Sequence, residues 1–393
     1  MAQCCGVLCF IGLRNLGLPF FLKSLGYDNS FSMLIMSFLS TVCIFQLIVS
    51  IIFSGFDIKR LLITNYLIAH FTLVLCCLGY IVMGISPTLV IFGTFIYFLF
   101  TALGDTFWWP FIHSQLVSEN VSTFFARLRI TWASFSFLGI LILTSIVNEL
   151  KNTRDFTLFI ISLGLLGACR VLFLFPLKPD QESKRDANIK IKSALGLLKK
   201  LLSLKELYFI FFFVFFEPLF FGPILIYFLD GVGVSKGNNF LVQGIGLVST
   251  VVSLLFVNNQ LKRIGDDRFI KLAKIPFTSL IGLLCLISLL EEPRSIFTLV
   301  MVVKFFAGLI SAGVHLIYIK KLFLHVNPMH RALSMSGFGV LIFGLFFISE
   351  FLLSQLLGFV NALNVGNNSF FYVFITYLMI ALVINFIKLI TSK

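Results

Sequence analysis

Leu177–Lys205 has the sequence LKPDQESKRDANIKIKSALGLLKKLLSLK and is the long polar segment of an otherwise apolar chain. It carries eight Lys or Arg residues against three acidic ones, and it lies near the middle of the 393 residues. On both sides the chain is hydrophobic over stretches long enough for membrane helices, since a bilayer core of about 30 Å needs about 20 helical residues. We therefore predict that residues 177–205 form a basic linker between two membrane-embedded halves, residues 1–176 and 206–393.

The composition is typical of a polytopic, all-α membrane protein. Apolar residues make up 59% of the chain and charged residues 12%, whereas soluble domains have about 45–50% and about 25%. A net charge of +13 would suggest nucleic acid as the partner of a soluble protein. In a membrane protein cationic loops set the orientation instead, so we expect no nucleic-acid partner. The eight cysteines form no CxxC pair and no Cys/His cluster, so we expect neither a metal nor a cofactor.

Twelve hydrophobic stretches have the length of a membrane-spanning helix, six before the linker and six after it. We number them spans 1 to 12 in chain order. Their predicted bounds are 4–22, 31–53, 62–83, 89–110, 124–147, 156–176, 207–229, 239–257, 273–290, 296–318, 334–357 and 370–391.

The basic residues are distributed unevenly between the two sides of this layout. Loops, tails and span ends on the side of the linker hold 22 of the 30 Lys and Arg residues, the opposite loops hold 5, and the other three lie well inside spans. Short cytoplasmic loops are enriched in Lys and Arg. We therefore expect the linker and both termini to be cytosolic and the protein to reside in the cell membrane.

The layout resembles the major facilitator superfamily over nearly the whole chain. The family's signature loop between spans 2 and 3 has a glycine, an acid and basic residues, and a short version is present here. Arginines that begin spans 5 and 11 also fit, whereas Phe100 stands where the family's usual span 4 arginine would be. The residues that carry the resemblance are Gly17–Gly26, Gly55, Asp57, Lys59, Arg60, Arg127 and Arg331.

The resemblance implies two six-helix bundles related by pseudo-two-fold symmetry, with spans 1, 4, 7 and 10 around a central substrate cavity. It also implies that loop charges after spans 2 and 8 latch one half against the other during alternating access. The alternative is that they are ordinary charges of a positively charged loop surface. These residues are Asp57, Lys59, Arg60, Asp266, Asp267 and Arg268.

Charged residues inside the spans are candidates for function, because placing one near the bilayer centre costs about 2.5–3.5 kcal/mol on insertion scales. Each span that the resemblance makes cavity-lining carries one: Arg14 in span 1, Asp105 in span 4, Glu217 in span 7 and Lys304 in span 10. Glu350 in span 11 is a possible second proton site. We expect Arg170, near the end of span 6, to extend towards the membrane surface.

Polar residues recur around these charges at helical spacing. Tyr97 and Thr101 precede Asp105 on one face of span 4, and Ser311 follows Lys304 on one face of span 10. In span 7, two prolines next to Glu217 should break the helix and free backbone groups to face a cavity.

Two interpretations of the four charges remain open. In the first, Arg14 and Lys304 bind an anionic or hydroxylated solute, while Asp105 or Glu217 carries a coupled proton. In the second, Arg14–Asp105 and Glu217–Lys304, or the crossed pairs, are structural ion pairs that do not touch the substrate.

No catalytic or nucleotide-binding motif is found in the sequence, so we expect that the protein is not an enzyme. The predicted function is secondary transport of a small organic solute by alternating access, coupled to protons, by a monomer in the lipid bilayer. The alternatives are an uncoupled facilitator and a sensor or scaffold with the same fold.

Overall fold

The structure, a computed structural model, describes residues 1–42, 45–53, 56–114, 121–177, 196, 205–325, 331–363 and 368–391. Twelve helical segments in these residues are long and apolar enough to cross a membrane, and they coincide with the twelve predicted spans. Nearly all of the linker lies outside the described residues.

The first six spans are formed by the helices Ala2–Gly12 and Leu18–Ser24, Asn29–Thr41 and Phe45–Ile52, Ile58–Met83, Thr88–Ser114, Val121–Glu149 and Thr153–Leu172. The last six are formed by Lys205–Phe216, Pro218–Phe221 and Pro223–Gly231, then Lys236–Ile264, Asp266–Ile287, Pro293–His325, Arg331–Ala362 and Ser369–Thr391. Because consecutive spans alternate in direction, the N-terminus, Asp57–Arg60 and Leu177 share one end of the molecule, which we call the linker face. Lys23, Asn152 and Asp230 are at the opposite end, the far face.

Span 1 changes its winding at the level of its arginine. Leu13–Gly17 forms a π-helical turn between two α-helical segments. Pro19, near the start of the second segment, has no backbone N–H to donate to residue 15, so the α-helical hydrogen bonding is interrupted there. π-turns often occur at functional sites, and this one carries Arg14.

Span 7 is broken twice, as its prolines predict. The first helical segment ends at Phe216, before Pro218, and the chain is fully extended at Gly222, before Pro223. A Cβ atom at residue 222 would lie 2.5 Å from the carbonyl oxygen of Pro218, so the break depends on glycine.

Span 9 begins at Asp266, seven residues before the predicted start at Ala273. The hydropathy of the first two turns is low because they contain Asp266, Asp267, Arg268 and Lys271. All four suit a helix start at the membrane surface, since acidic side chains favour a helix N-terminus and long basic ones extend into water.

The two halves pack together along two helix pairs. Span 2 packs against span 11, and span 5 packs against span 8. Each half has its own apolar core: Phe213, Phe220 and Phe277 belong to the core of the second half, and Leu13 and Ile160 to that of the first. Large apolar side chains also cover the outer surface, as expected of a surface that faces lipid.

Candidate functional site

A cavity of about 330 Å³ lies between the two halves and extends from mid-depth towards the linker face. Its wall is formed by spans 1, 2, 4, 5 and 6 of the first half and spans 10 and 11 of the second. The polar and charged residues of the wall are Gln3, Arg14, Ser40, Gln46, Thr101, Asp105, Thr106, Arg129, Arg170, Tyr318 and Ser336.

The inner end of the cavity is built on an ion pair that joins the two halves. Arg14 Nη2 of span 1 lies 2.6 Å from Glu350 Oε1 of span 11. Ser40 of span 2 donates a hydrogen bond of 3.0 Å to the other carboxylate oxygen and accepts one of 3.3 Å from Arg14. Arg14 is 8% exposed and Glu350 0%. The carboxylate is thus enclosed behind the arginine, and only Arg14 and Ser40 line the cavity.

A second charged group, closer to the linker face, lies entirely within the first half. Tyr66 of span 3 donates a 2.6 Å hydrogen bond to Asp105 Oδ1, and Arg170 Nη2 lies 3.7 Å from the same oxygen. The Arg170 guanidinium also stacks 3.4 Å from the centroid of the Tyr66 ring, a cation–π contact. The Asp105 side chain remains 45% exposed, so its carboxylate faces the cavity.

The expectation that Arg170 extends to the membrane surface is wrong, because this residue is only 2% exposed. Gly6 of span 1 leaves the space that the guanidinium occupies: a Cβ atom there would lie 2.7 Å from Arg170 Cζ. The neighbouring helix, and not the membrane surface, therefore sets the direction of this side chain.

The charged residues of spans 7 and 10 have partners within the second half. Glu217 Oε2 lies 3.3 Å from His315 Nε2. Lys304, 1% exposed, donates a hydrogen bond to Gln243 Oε1 of span 8, and its ammonium group lies 5.3 Å from the centroid of the Phe221 ring. Neither Glu217 nor Lys304 lines the cavity described above.

Neither of the ion-pair arrangements expected from the sequence is present among the described residues. Arg14 pairs with Glu350, and Glu217 pairs with His315. Asp105 has Arg170 as its cation, and Lys304 has the neutral Gln243. Of the four charged residues, Arg14 and Asp105 thus line the cavity, whereas Glu217 and Lys304 lie in a separate region of the second half.

Of the other predicted site residues, Thr101, Tyr97 and Ser311, one lines the cavity and two do not. Thr101 lines the cavity, whereas Tyr97 is fully buried and lies against His70, with ring centroids 5.2 Å apart. Ser311 is buried between spans and does not line this cavity. Span 10 packs closely on span 8 nearby, since a Cβ atom at Gly308 would overlap Ser249.

At the far face, three contacts hold the two halves together. Lys23 of span 1 forms an ion pair with Asp230 of span 7. Lys236 Nζ donates to the carbonyl oxygen of Leu150 at 2.7 Å, and the backbone N–H of Gly237 donates to Asn148 at 2.8 Å. The halves are therefore joined at the end opposite to the cavity.

Solved structures with this arrangement were found, although no protein-family model and no curated protein matches the sequence. The nucleoside transporter NupG superimposes with a TM-score of 0.70 at 14% identity, over 97% of this chain and 95% of that chain. A partially occluded, inward-open conformation of the xylose transporter XylE from E. coli gives 0.68 at 11% identity, over 97% and 94%. A variant of the E. coli fucose:proton symporter FucP gives 0.61 at 12% identity, over 97% and 96%. These proteins are major facilitator superfamily transporters.

The chain has the major facilitator fold.

In this major facilitator fold, the expected latch residues after span 2 have local partners. Asp57 caps the helix of span 3 by accepting hydrogen bonds from the backbone N–H groups of Lys59 at 2.9 Å and Arg60 at 3.3 Å. Lys59 Nζ donates to the carbonyl oxygen of Phe175, at the end of span 6. Asp266, Asp267 and Arg268 belong to the first turn of span 9, at the linker face.

Several residues of the site were not singled out from the sequence. Ser40, Gln46 and Gln243 are polar residues within spans, and that pattern could have identified them. Arg129 lies near the start of span 5, so the sequence indicates only that it is one of the basic residues on the linker side. Tyr66 carries no such signal, since a tyrosine in a span is common.

Proposed function

We propose that this chain is a secondary active transporter that moves a small organic solute by alternating access and is coupled to protons. The observation that carries the proposal is the cavity between the halves, lined by both of them and reaching towards one face while the other face is joined. A carrier that alternates between two openings requires such a cavity, because the solute must contact both halves when they rock.

The ion pair between Arg14 and Glu350 supports a coupling role. It links spans 1 and 11, which belong to different halves, at the inner end of the cavity. A change in the charge of Glu350 or in the occupancy of the cavity would alter the attraction between the halves. Either event could therefore be linked to the rocking motion, which is what coupling requires.

Asp105 is the proton-carrying candidate that faces the cavity, and Glu217, next to the break in span 7, is the second. A low-dielectric environment favours the neutral form of a carboxyl group, while a nearby cation favours the charged form. Movement of Arg170 relative to Asp105 would therefore change how readily this group binds a proton. We infer that Asp105 takes up and releases the proton as the cavity changes its opening.

The proposal extends to the arrangement of the protein in the membrane. Residues 1–176 and 206–393 are the two moving halves, and residues 177–205 are a cytosolic linker in a monomer of the cell membrane. In this orientation the cavity faces the cytosol.

The test is solute flux in proteoliposomes that contain the purified protein, with and without an imposed pH gradient. Uptake that collapses with the gradient supports proton coupling, and flux indifferent to it favours the facilitator. Flux of no solute by a folded protein would favour a sensor or scaffold. Asp105→Asn and Glu217→Gln should abolish accumulation against a gradient; parental accumulation in both variants would refute the assignment of these proton sites.

A further inference from the structure

The charge of the cavity wall indicates which solutes it can bind. Three cationic side chains line the cavity, Arg14, Arg129 and Arg170, against one carboxylate, that of Asp105. Glu350 neutralises Arg14 from behind but is fully enclosed. With both carboxylates counted, one positive charge in the wall remains without compensation by the described residues.

Arg129 is the source of this excess charge. Among the residues that the structure describes, no carboxylate lies within 4.0 Å of its guanidinium, although Arg14 and Arg170 each have one. An arginine presents five N–H donors in a planar fork that matches a carboxylate or phosphate group. An oxyanion in the cavity would supply a partner that the described residues do not.

Arg170 has donor capacity of its own. Its Nη2 atom lies 3.7 Å from Asp105 Oδ1, which is longer than a normal hydrogen bond, and Arg170 lines the cavity. The Tyr66 ring fixes one face of the guanidinium, so its orientation is set before a ligand arrives. A preorganised group loses less conformational entropy on binding.

The rest of the wall is suited to the body of a small organic molecule. Phe10, Phe98 and Phe343 provide apolar surface, and Thr101 and Gln46 provide polar groups. A cavity of about 330 Å³ is at the lower end of the range for small-molecule sites. Arg129 comes from the first half and Phe343 from the second, so one ligand can contact both.

We propose that the solute is a small organic anion whose carboxylate or phosphate group binds Arg129 and Arg170. This inference rests on the proposed transport function and gives its substrate class. Lys304 has no part in it, because that side chain is directed to Gln243 and does not line the cavity. Both arginines belong to the first half, so the oxyanion would bind on that side of the cavity while its organic body contacts the second half.

The test compares four compounds on one scaffold: glucose, glucuronate, glucose 6-phosphate and glucosamine, at millimolar concentration. Uridine and uridine monophosphate form a second, larger pair. Binding is measured as the ligand-induced rise in thermal stability of the purified full-length protein, since a ligand specific for the folded state stabilises it. We expect stabilisation by the acid or the phosphate and little by the neutral parents; glucuronate and glucose 6-phosphate distinguish the two kinds of oxyanion.

Arg129→Gln should weaken binding of the stabilising anion by at least about tenfold, because it removes charge-assisted hydrogen bonds to the oxyanion. Arg129→Lys keeps the charge and loses the planar fork, so its affinity for the anion should lie between that of Arg129→Gln and that of the parent. Arg127→Gln is the matched control: it removes an exposed arginine two residues earlier on the same helix. Equal loss in the Arg127 and Arg129 variants would overturn the assignment of Arg129.

The outcomes separate this inference from the proposed function. Stabilisation and flux with glucose, uridine or glucosamine, but with none of the anions, would overturn the anion assignment and leave transport standing. Stabilisation by no anion overturns it as well. Absence of flux for every compound, in a folded protein, would contradict the transport function itself.

Discussion

Removal of the Glu350 carboxylate should destabilise the protein by about 3–5 kcal/mol, the usual cost of breaking a buried ion pair on one side. The structure supports a value in this range because Glu350 is 0% exposed and Arg14 only 8%, so water can reach Arg14 only from the cavity side. In Glu350→Ala, Arg14 would keep a single hydrogen bond of 3.3 Å, to Ser40, for a buried positive charge. The change is measured as the free energy of unfolding in a denaturant titration of the protein in mixed micelles.

Two further variants make this experiment decisive. Arg14→Met combined with Glu350→Leu removes both charges and should recover most of the loss, because a pair of apolar residues is often as stable as a buried ion pair. Glu149→Ala, at an exposed position at the end of span 5, should change stability by no more than about 0.5 kcal/mol. A loss below about 1 kcal/mol in Glu350→Ala, or a double variant as unstable as the single one, would refute this reasoning.

Other consequences can be measured on the same protein. Gly308→Ala should reduce the free energy of unfolding, because the added Cβ atom overlaps Ser249. Gly344→Ala is the control and should be tolerated, since nothing lies within 4 Å of its added atom. Equal effects of the two substitutions would contradict the close packing of spans 8 and 10. Gln243→Leu should cost about 1.5–3 kcal/mol by removing the hydrogen bond to buried Lys304, and adding Lys304→Met should recover it. Lys23→Asp should weaken the closure of the far face and slow transport, because it removes the ion pair with Asp230. The double variant Lys23→Asp, Asp230→Lys should restore the ion pair and the transport rate. A double variant as slow as the single one would exclude this contact from gating.

The spans and the breaks in span 7 follow from strong local signals. Apolar stretches of the required length predict each membrane helix, and Pro218 and Pro223 predict where span 7 breaks, since proline removes a backbone donor wherever it is placed. Hydropathy predicts the start of span 9 too late, because it cannot distinguish Arg268 in a loop from Arg268 in the first turn of a helix at the membrane surface.

The partners of the buried charges could not be predicted in the same way. Which side chain Arg14 meets depends on the rotation of span 1 about its axis, and the π-turn at Leu13–Gly17 changes that rotation. The direction of Arg170 does not follow from its own span because it depends on Gly6, a residue far away in the sequence. Such pairings are set by the packing of several helices, which periodicity within a single helix does not reveal.

Alternating access is tested most directly by two interspin distances in one preparation, with spin labels at positions chosen on each face. Arg60 and Arg268 are exposed residues of different halves at the linker face, and Lys151 and Glu292 are their counterparts at the far face. When solute binds or the pH changes, the account predicts that the distance at the linker face shortens while the distance at the far face lengthens. Two distances that move in the same direction, or that stay constant while solute is transported, would contradict it.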